Sequence, residues 1–197
     1  MLGIFLDIET NGLNPFKHNV IEIAFQILDI ETGLLIDSYE AILFQSQEEW
    51  QNSDLESLQI NGFNWEQVSF GLPLSLISEQ IQNCFIKNKI KRGDAVFICQ
   101  NPSFDRPFFT KLISTERQEA LCLPYHWLDL ASMHWATSLY KRKTSREPYP
   151  WETGFTKDKI AKAHQIPSES KPHRAMNGVK HLILCYEAVT GFPLKKS

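Results

Sequence analysis

Residues 2–10, LGIFLDIET, are the stretch of sequence that decides the predicted fold. The stretch is mostly apolar, as expected of a strand buried in a sheet, yet it contains two acids, Asp7 and Glu9. Side chains two positions apart on a strand point to the same face, so these carboxylates are expected to converge. Two unpaired acids in a buried strand are costly, and a bound cation would offset that cost. The stretch predicts a central strand with a metal site; an exposed pair on a solvated strand face is the alternative.

Two later segments bring further groups of the kind that hydrolytic metal sites use. Residues 101–105, NPSFD, follow a short apolar strand, and Pro102 favours a helix start that places Asp105 in the first turn. The helix dipole alone also favours an acid there. Residues 173–178, HRAMNG, open the last predicted helix. His173 is either an ordinary residue at a helix start or a general base, since histidine exchanges protons near neutral pH.

In this order and at these separations, the segments at residues 7–10, 101–105 and 173–178 resemble the Exo I, Exo II and Exo III motifs of the DEDDh family of 3′→5′ exonucleases. The resemblance covers nearly the whole chain. Residues 20–24, VIEIA, are similar to the second strand of the family, and residues 128–131, LDLA, are similar to the segment after Exo II. Among its members, the chain looks most like ribonuclease T and the proofreading epsilon subunit of DNA polymerase III.

The resemblance implies a ribonuclease H-like fold and a 3′→5′ exonuclease activity. The implied substrate is single-stranded DNA or RNA with a free 3′ end, hydrolysed to nucleoside 5′-monophosphates. Two Mg²⁺ or Mn²⁺ ions are implied as cofactors, with Asp7 bridging both, Glu9 binding one and Asp105 supporting the second. His173 is implied to be the general base. Two metal ions about 4 Å apart can activate the attacking water and stabilise the leaving oxygen.

The resemblance also implies contacts with the terminal nucleotide. Residues 60–63, INGF, lie where family members carry a histidine- or asparagine-glycine pair that touches this nucleotide. The residues expected to position the 3′-terminal nucleotide are Thr10, Asn61 and Asn101. Phe63 and Trp65 are candidates for stacking on bases, although Phe63 is equally consistent with a core position. Ribonuclease T-like relatives are dimers, so a homodimer is a possible assembly.

The chain departs from the family pattern at Gly178, where the Exo III motif H-x-A-x-x-D has its final aspartate. Glycine offers no ligand, and Asn177 is rotated by about 100° on a helix, so it cannot take over the position. His181 lies on the same helical face as Gly178 and is a candidate substitute ligand, although a surface histidine is the commoner outcome. The sequence therefore predicts a weak second ion and reduced activity, which Gly178→Asp is expected to raise.

Three functional hypotheses follow from this departure. The first is an exonuclease with a weakened site, which the retained residues Asp7, Glu9, Asp105 and His173 favour. The second is a catalytically inactive, exonuclease-like protein that binds nucleic acid. The third and most remote treats the acids as a purely structural ion site.

The remaining segments predict the architecture around the first strand. Residues 20–28 and 34–44 have strand character, and the turn between them indicates an antiparallel start. Residues 95–99 predict a short buried strand. Helices are predicted within 74–85 and at about 103–114, 130–140, 155–165 and 173–190, with one long loop at 141–153. The sequence predicts an α/β fold with a mixed central β-sheet flanked by α-helices.

Length and composition predict a single domain over residues 1–197. Hydrophobic residues make up 43% and charged residues 22%, which is ordinary for a globular protein. A chain of this length buries roughly 70% of its unfolded surface, so no disulfide or metal is needed for folding. The cysteines are Cys84, Cys99, Cys122 and Cys185; they form no C-x-x-C pair and are expected to be reduced and mostly buried. No signal peptide or membrane-spanning run is evident, which predicts a cytoplasmic protein without a membrane partner.

The net charge of −3 argues against a protein coated with phosphate-binding residues. It does not argue against a nuclease, because acids that bind metal ions add negative charge. Local basic patches can still attract a substrate. The candidates are Lys87, Lys89, Lys91 and Arg92, and also Lys141, Arg142, Lys143 and Arg146. Such runs are more often solvated faces than binding sites.

Overall fold

Five strands form one mixed sheet in the order β3-β2-β1-β4-β5. The computed structural model describes residues 1–145 and 148–193. The strands are β1 (Leu2–Thr10), β2 (Val20–Asp29), β3 (Leu35–Ile42), β4 (Ala95–Cys99) and β5 (Trp127–Asp129). The first three are antiparallel neighbours, whereas β4 runs parallel to β1 and β5 parallel to β4. The predicted mixed sheet is confirmed, while the three-residue strand β5 was too short to predict from its pattern.

Helices cover both faces of the sheet. Those in the described residues are α1 (Gln47–Gln51), α2 (Leu55–Asn61), α3 (Trp65–Ser69), α4 (Leu74–Lys87), α5 (Pro102–Leu112), α6 (Thr115–Ala120), α7 (Leu130–Arg142), α8 (Pro150–Thr153), α9 (Lys157–Ala163) and α10 (Ala175–Thr190). The five predicted helices are all present. The predicted loop at 141–153 is wrong at both ends, because α7 continues to Arg142 and Pro150 starts α8; residues 146–147 of that loop, which include Arg146, lie outside the described part.

Alternation along β1 divides the core into two layers. Residues 4, 6 and 8 pack into the layer that α4 and α5 cover. Phe5 packs into the layer that α10 covers, where its ring lies 5.1 Å from that of Tyr186. Asp7 and Glu9 share the face of Phe5, because they follow it at two-residue intervals. The two acids of β1 are therefore directed towards the start of α10.

The structure shows the state of the four cysteines and the character of the helices. All four cysteines are free; Cys99 and Cys185 are buried, Cys84 is half-buried and Cys122 is exposed. Burial thus holds for only two of the four thiols. Within residues 1–145 and 148–193, no helix has the length and apolar character that crossing a membrane requires.

Candidate active site

One cleft of about 360 Å³ gathers most of the predicted site residues. The predicted residues that line it are Asp7, Glu9, Asn101, Asp105 and His173. They come from three separated segments, namely the end of β1, the start of α5 and the segment before α10. The three sequence motifs therefore meet in space.

Helix α5 brings Asp105 to the cleft. Asn101 precedes the helix, and Pro102 occupies its first turn, where a missing backbone N–H costs nothing. The backbone N–H of Asp105 donates to the carbonyl of Asn101 at 3.2 Å. Asp105 is 5% exposed, so its carboxyl group faces the protein interior and the cleft instead of bulk water.

Glu22 of β2 fixes the start of α10. It lies opposite Glu9 in the sheet register and is 3% exposed. Its Oε2 accepts a hydrogen bond of 2.7 Å from the backbone N–H of Ala175. Just before the helix, the N–H of His173 donates to the carbonyl of Ile60 at 3.1 Å. These two bonds fix the third motif next to β2 and the end of α2. The amino-acid sequence alone did not predict this role for Glu22.

Gly178 lies in contact with Asp7. A Cβ atom at position 178 would lie 2.1 Å from Oδ2 and 2.6 Å from Cγ of Asp7. Any other residue at this position would displace the Asp7 carboxylate, since real Cβ contacts are essentially never shorter than 3.0 Å. The glycine therefore does more than omit a ligand, because it makes room for the observed position of Asp7.

Lys157 and Glu169 complete this side of the cleft, and sequence reasoning missed both. The Lys157 ammonium lies 3.5 Å from Oδ1 of Asp7 and 2.8 Å from Oε2 of Glu169. It also lies 3.5 Å from the carbonyl oxygen of Gly178. The side chains of Lys157 and Glu169 are 13% and 2% exposed. A buried cation thus stands beside the acid pair of the first strand.

Burial raises the pKa of each predicted metal-binding acid. Burial raises the pKa of Asp7, and the nearby Lys157 ammonium opposes the change. Burial, followed by repulsion from Asp7 and Glu169, raises the pKa of Glu9 to about 8. Burial and then repulsion from Asp7 raise the pKa of Asp105 well above its usual range. The acids destabilise one another when ionised, which is the condition that a bound cation relieves.

The pKa of Lys157 moves in the opposite direction to that expected for a buried amine. Burial by itself lowers the pKa, but the carboxylates of Asp7 and Glu169 more than compensate and raise it above its usual range. Lys157 is therefore charged at neutral pH. Its ammonium is a fixed positive charge within the cleft.

The carboxylates suit a divalent cation, but Asp7 is already engaged by Lys157. Asp105 is buried and Asp7 and Glu9 are half-buried. These acids repel one another and are hard oxygen ligands of the kind that Mg²⁺ and Mn²⁺ prefer. As placed, no three His, Cys, Asp or Glu side chains in the described residues are gathered closely enough to hold an ion. Asp7 is instead in contact with Lys157 and lies over Gly178. The donor chemistry of Asp7, Glu9 and Asp105 fits a divalent cation, whereas their observed placement in the described residues does not gather them around one.

Metal-free protein is expected to lose stability as pH rises from about 5 to about 8. Unfolded glutamate ionises near pH 4.3, whereas the pKa of Glu9 in the folded protein is about 8. Within this interval the folded state binds more protons than the unfolded state, so the free energy of unfolding falls as pH rises. Above this interval Glu9 is ionised in the folded protein, and the whole destabilisation is present. Thermal melting in EDTA measures the slope. Glu9→Gln should flatten it, whereas Glu31→Gln at an exposed turn should not. A melting temperature that rises over this interval would contradict the buried-acid cluster.

Other predicted residues do not enter the cleft. His181 is buried, and its Nε2 lies 2.8 Å from the carbonyl of Pro167. It does not line the cleft, so the hypothesis of a substitute ligand is wrong. Phe63 is 5% exposed in a small apolar cluster, and the guanidinium of Arg174 lies 3.7 Å above its ring. Its core role is confirmed, so it is not free to stack on a base.

Thr10 and Asn61 lie behind the cleft. The hydroxyl of Thr10 donates to the carbonyl of Gly12 at 2.8 Å. The Asn61 amide donates to the carbonyl of Thr10 at 3.0 Å, and its Oδ1 accepts from the N–H of Phe63 at 3.2 Å. Asn61 is 1% exposed. Both side chains are therefore used in internal hydrogen bonds, and that of Asn61 ties the end of β1 to the end of α2.

One sequence signal could have identified Lys157. It is the first residue of α9, after the N-cap Thr156. A cation at a helix N-terminus interacts unfavourably with the helix dipole, so a lysine at this position indicates a stabilising contact elsewhere, such as a nearby carboxylate. Glu169 has no such signal, because it lies in an irregular segment; its backbone N–H donates to Asp158 at 3.2 Å.

The sheet and its helices define a ribonuclease H-like α/β protein, and similarity to solved structures places it within the exonuclease fold. E. coli exonuclease I in complex with a dT13 oligonucleotide matches with a TM-score of 0.72 at 18% identity, over 95% of this chain and 40% of that chain. Cell-death related nuclease 4 matches with a TM-score of 0.71 at 13% identity, over 96% and 64%. A zinc-bound exonuclease I complex with single-stranded DNA matches with a TM-score of 0.71 at 15% identity, over 98% and 42%.

These similarities concern the fold. The chain spans about two fifths of exonuclease I, and the identities are low. No protein-family model and no curated protein matches the sequence. The predicted fold class is confirmed, whereas the chemistry of the cleft has to be argued from its own residues.

Proposed function

We propose that the chain is a metal-dependent 3′→5′ exonuclease that acts on single-stranded DNA or RNA and releases nucleoside 5′-monophosphates. The observation that carries this proposal is the meeting of Asp7, Glu9, Asp105 and His173 in one cleft of an exonuclease fold. The structural neighbours crystallised with single-stranded oligonucleotides support a single-stranded substrate. The pattern of raised carboxyl pKa values supports a cation at the site.

The acids and the histidine have different roles in this proposal. Asp7, Glu9 and Asp105 hold Mg²⁺ or Mn²⁺. When bound, a divalent cation supplies positive charge that stabilises the transition state of phosphodiester hydrolysis. His173 acts as the general base that takes a proton from the attacking water. Its backbone bond to Ile60 and the anchored start of α10 restrict where its ring can lie.

The cleft also offers contacts for the terminal nucleotide. Asn101, Leu13 and Phe104 line it beside the acids. We assign hydrogen bonding to Asn101 and apolar contact with the base to Leu13 and Phe104. Thr10 and Asn61 support the terminal nucleotide indirectly, because their hydrogen bonds fix the backbone at the end of β1.

An exposed aromatic surface continues from the edge of the cleft. It consists of the exposed rings of Trp135, Trp151 and Phe155 and the half-buried ring of Tyr149, with adjacent ring centroids 4.4 to 5.6 Å apart. The carbonyl of Phe155 accepts a hydrogen bond of 2.9 Å from Gln100, which lines the cleft. Arg142 lies 4.7 Å above the Tyr149 ring. Exposed rings with an adjacent cation suit the bases and phosphates of a single strand.

The strand that leads away from the 3′ end is therefore expected to cross this aromatic surface. Trp135→Ala and Trp151→Ala should each weaken binding of a single-stranded 12-mer by about 1–3 kcal/mol, because each removes a stacking partner. Fluorescence anisotropy in EDTA measures binding without cleavage. Trp65 was a stacking candidate from the sequence, but it is an exposed tryptophan that does not line the cleft. Trp65→Ala is therefore the matched control. Loss of binding in the control alone would place the strand over Trp65 instead of over the aromatic surface.

The proposed activity is tested with purified protein and Mg²⁺ or Mn²⁺ on 5′-labelled single-stranded DNA and RNA. We expect a ladder of products shortened from the 3′ end and release of 5′-monophosphates. A 3′-terminal phosphate should block the reaction. Internal cleavage of a circular single strand would contradict an exonuclease. Absence of cleavage of every substrate with either metal would contradict catalysis altogether.

A second candidate is a protein that binds single-stranded 3′ ends without hydrolysing them. The observation that favours it is the engagement of Asp7 by Lys157 beside Gly178. The same experiment distinguishes the two functions, because this candidate retains binding of a single-stranded oligonucleotide while the 5′-labelled substrate remains intact.

A further inference from the structure

Three contacts place the Lys157 ammonium where it can act as a cofactor-like cation. It contacts the carboxylates of Asp7 and Glu169 and approaches the carbonyl oxygen of Gly178. All three partners are oxygen atoms, and the two carboxylates are charged acceptors that attract a cation. The ammonium is thus surrounded by the type of ligand that a hard metal ion prefers.

We propose that Lys157 is a built-in substitute for one of two metal ions, so that the chain binds a single divalent cation. This inference rests on the proposed function for the identity of the site. Lys157 neutralises Asp7 on the side of position 178, and Asp7, Glu9 and Asp105 would together hold the remaining cation. Lys157 is a positioning residue, because it contacts a metal-binding acid and does not contact the substrate.

The contact of Gly178 with Asp7 supports this inference. The position of Asp7 that reaches Lys157 also brings Oδ2 to within 2.1 Å of where a Cβ at residue 178 would lie. An aspartate at 178 and the observed Asp7–Lys157 pair therefore cannot coexist without movement. Gly178 and Lys157 therefore belong to one arrangement. The lysine takes the place of the second metal ion, so no carboxylate is needed at position 178 to bind that ion.

The burial of Glu169 also supports this inference. Its side chain is 2% exposed, and in the described part of the chain neither of its carboxylate oxygens has a well-aligned hydrogen-bond partner. Its Oε2 lies 2.8 Å from the Lys157 ammonium, which is an ion-pair distance. A buried carboxylate in this condition depends on the lysine charge. If Lys157 were neutral, Glu169 would be a free acid facing the cleft and available to a metal ion.

The number of bound Mn²⁺ ions tests this inference without any measurement of activity. The full chain is titrated by calorimetry, and electron paramagnetic resonance measures free Mn²⁺. We expect one ion for the wild type and one for Lys157→Arg, which keeps the positive charge. We expect two ions for Lys157→Met, because Glu169 is released as a ligand. Adding Glu169→Gln to Lys157→Met should return the count to one.

Lys162→Met is the matched control, because it removes a lysine from the exposed end of the same helix, α9. It should leave the count at one. Lys157→Gln provides a smaller, polar replacement if the methionine variant does not fold. Two ions or none in the wild type would overturn the inference, and so would a folded neutral variant that still binds one ion.

Failure of this inference is distinguishable from failure of the proposed function. One ion in the wild type and two in Lys157→Met, with no cleavage by either protein, would support the role of Lys157 and reject the exonuclease. Cleavage by a wild type that binds two ions would support the exonuclease and reject the role of Lys157.

Discussion

Combining Gly178→Asp with Lys157→Met is expected to raise metal-dependent hydrolysis on the order of 10²-fold, or about 2.7 kcal/mol of transition-state stabilisation. The double variant adds an acid and removes the competing ammonium, and Asp7 is then free to turn away from position 178. Gly178→Asp alone is expected to give no gain, because the new carboxylate would meet Asp7 and pair with Lys157. The sequence alone predicts a gain from the single substitution, and the structure changes that expectation.

Initial rates on a 5′-labelled single strand measure these effects, with kcat and KM determined separately. The gain should appear mainly in kcat. Lys157→Met alone is the necessary control, since it separates the loss of the ammonium from the addition of the acid. The kcat of the double variant should be higher than that of Lys157→Met. A tenfold or greater gain from Gly178→Asp alone would show that Lys157 does not obstruct the site.

Asp105→Asn is expected to reduce cleavage by about 10³-fold or more, because several kcal/mol of stabilisation by the cation depends on this ligand. The substitution preserves the shape of the buried side chain, so the fold should survive. Indeed, loss of a buried acid with a raised pKa should increase the melting temperature of metal-free protein above neutral pH.

Asp94→Asn, at an exposed turn before β4, is the matched control. It should leave the cleavage rate and the melting temperature unchanged. Rates are compared at saturating Mn²⁺ and at limiting Mn²⁺. A folded Asp105→Asn protein with wild-type activity at limiting Mn²⁺ would remove Asp105 from the proposed site.

The sequence predicted the parts of the fold that have a strong local period. Apolar strands β1, β2 and β4 and the amphipathic helices α4 and α10 follow directly from the spacing of their hydrophobic residues. The three-residue strand β5 and the short helices α1 to α3 have no such period. They depend on contacts with distant parts of the chain and on caps, such as the Ser46 and Asn64 capping boxes of α1 and α3.

For the candidate site, the motif acids were predictable and their partners were not. Asp7 and Glu9 share a face because side chains alternate along a strand, and this two-residue spacing can be read directly from the sequence. Lys157 reaches Asp7, and Glu169 reaches Lys157, only through the packing of α9 against α7, α8 and α10. The sequence also shows that Gly178 lacks a carboxylate, but only the structure shows that its missing Cβ accommodates Asp7.

The most direct test is anomalous diffraction from crystals of the wild-type protein grown with Mn²⁺ and a short single-stranded oligonucleotide whose terminal linkage resists hydrolysis. We expect one Mn²⁺ peak bounded by Asp7, Glu9 and Asp105, with the 3′-terminal nucleotide in the same cleft and Lys157 still paired with Glu169. A metal-free cleft, two Mn²⁺ peaks, or an oligonucleotide bound elsewhere on the molecule would contradict this account.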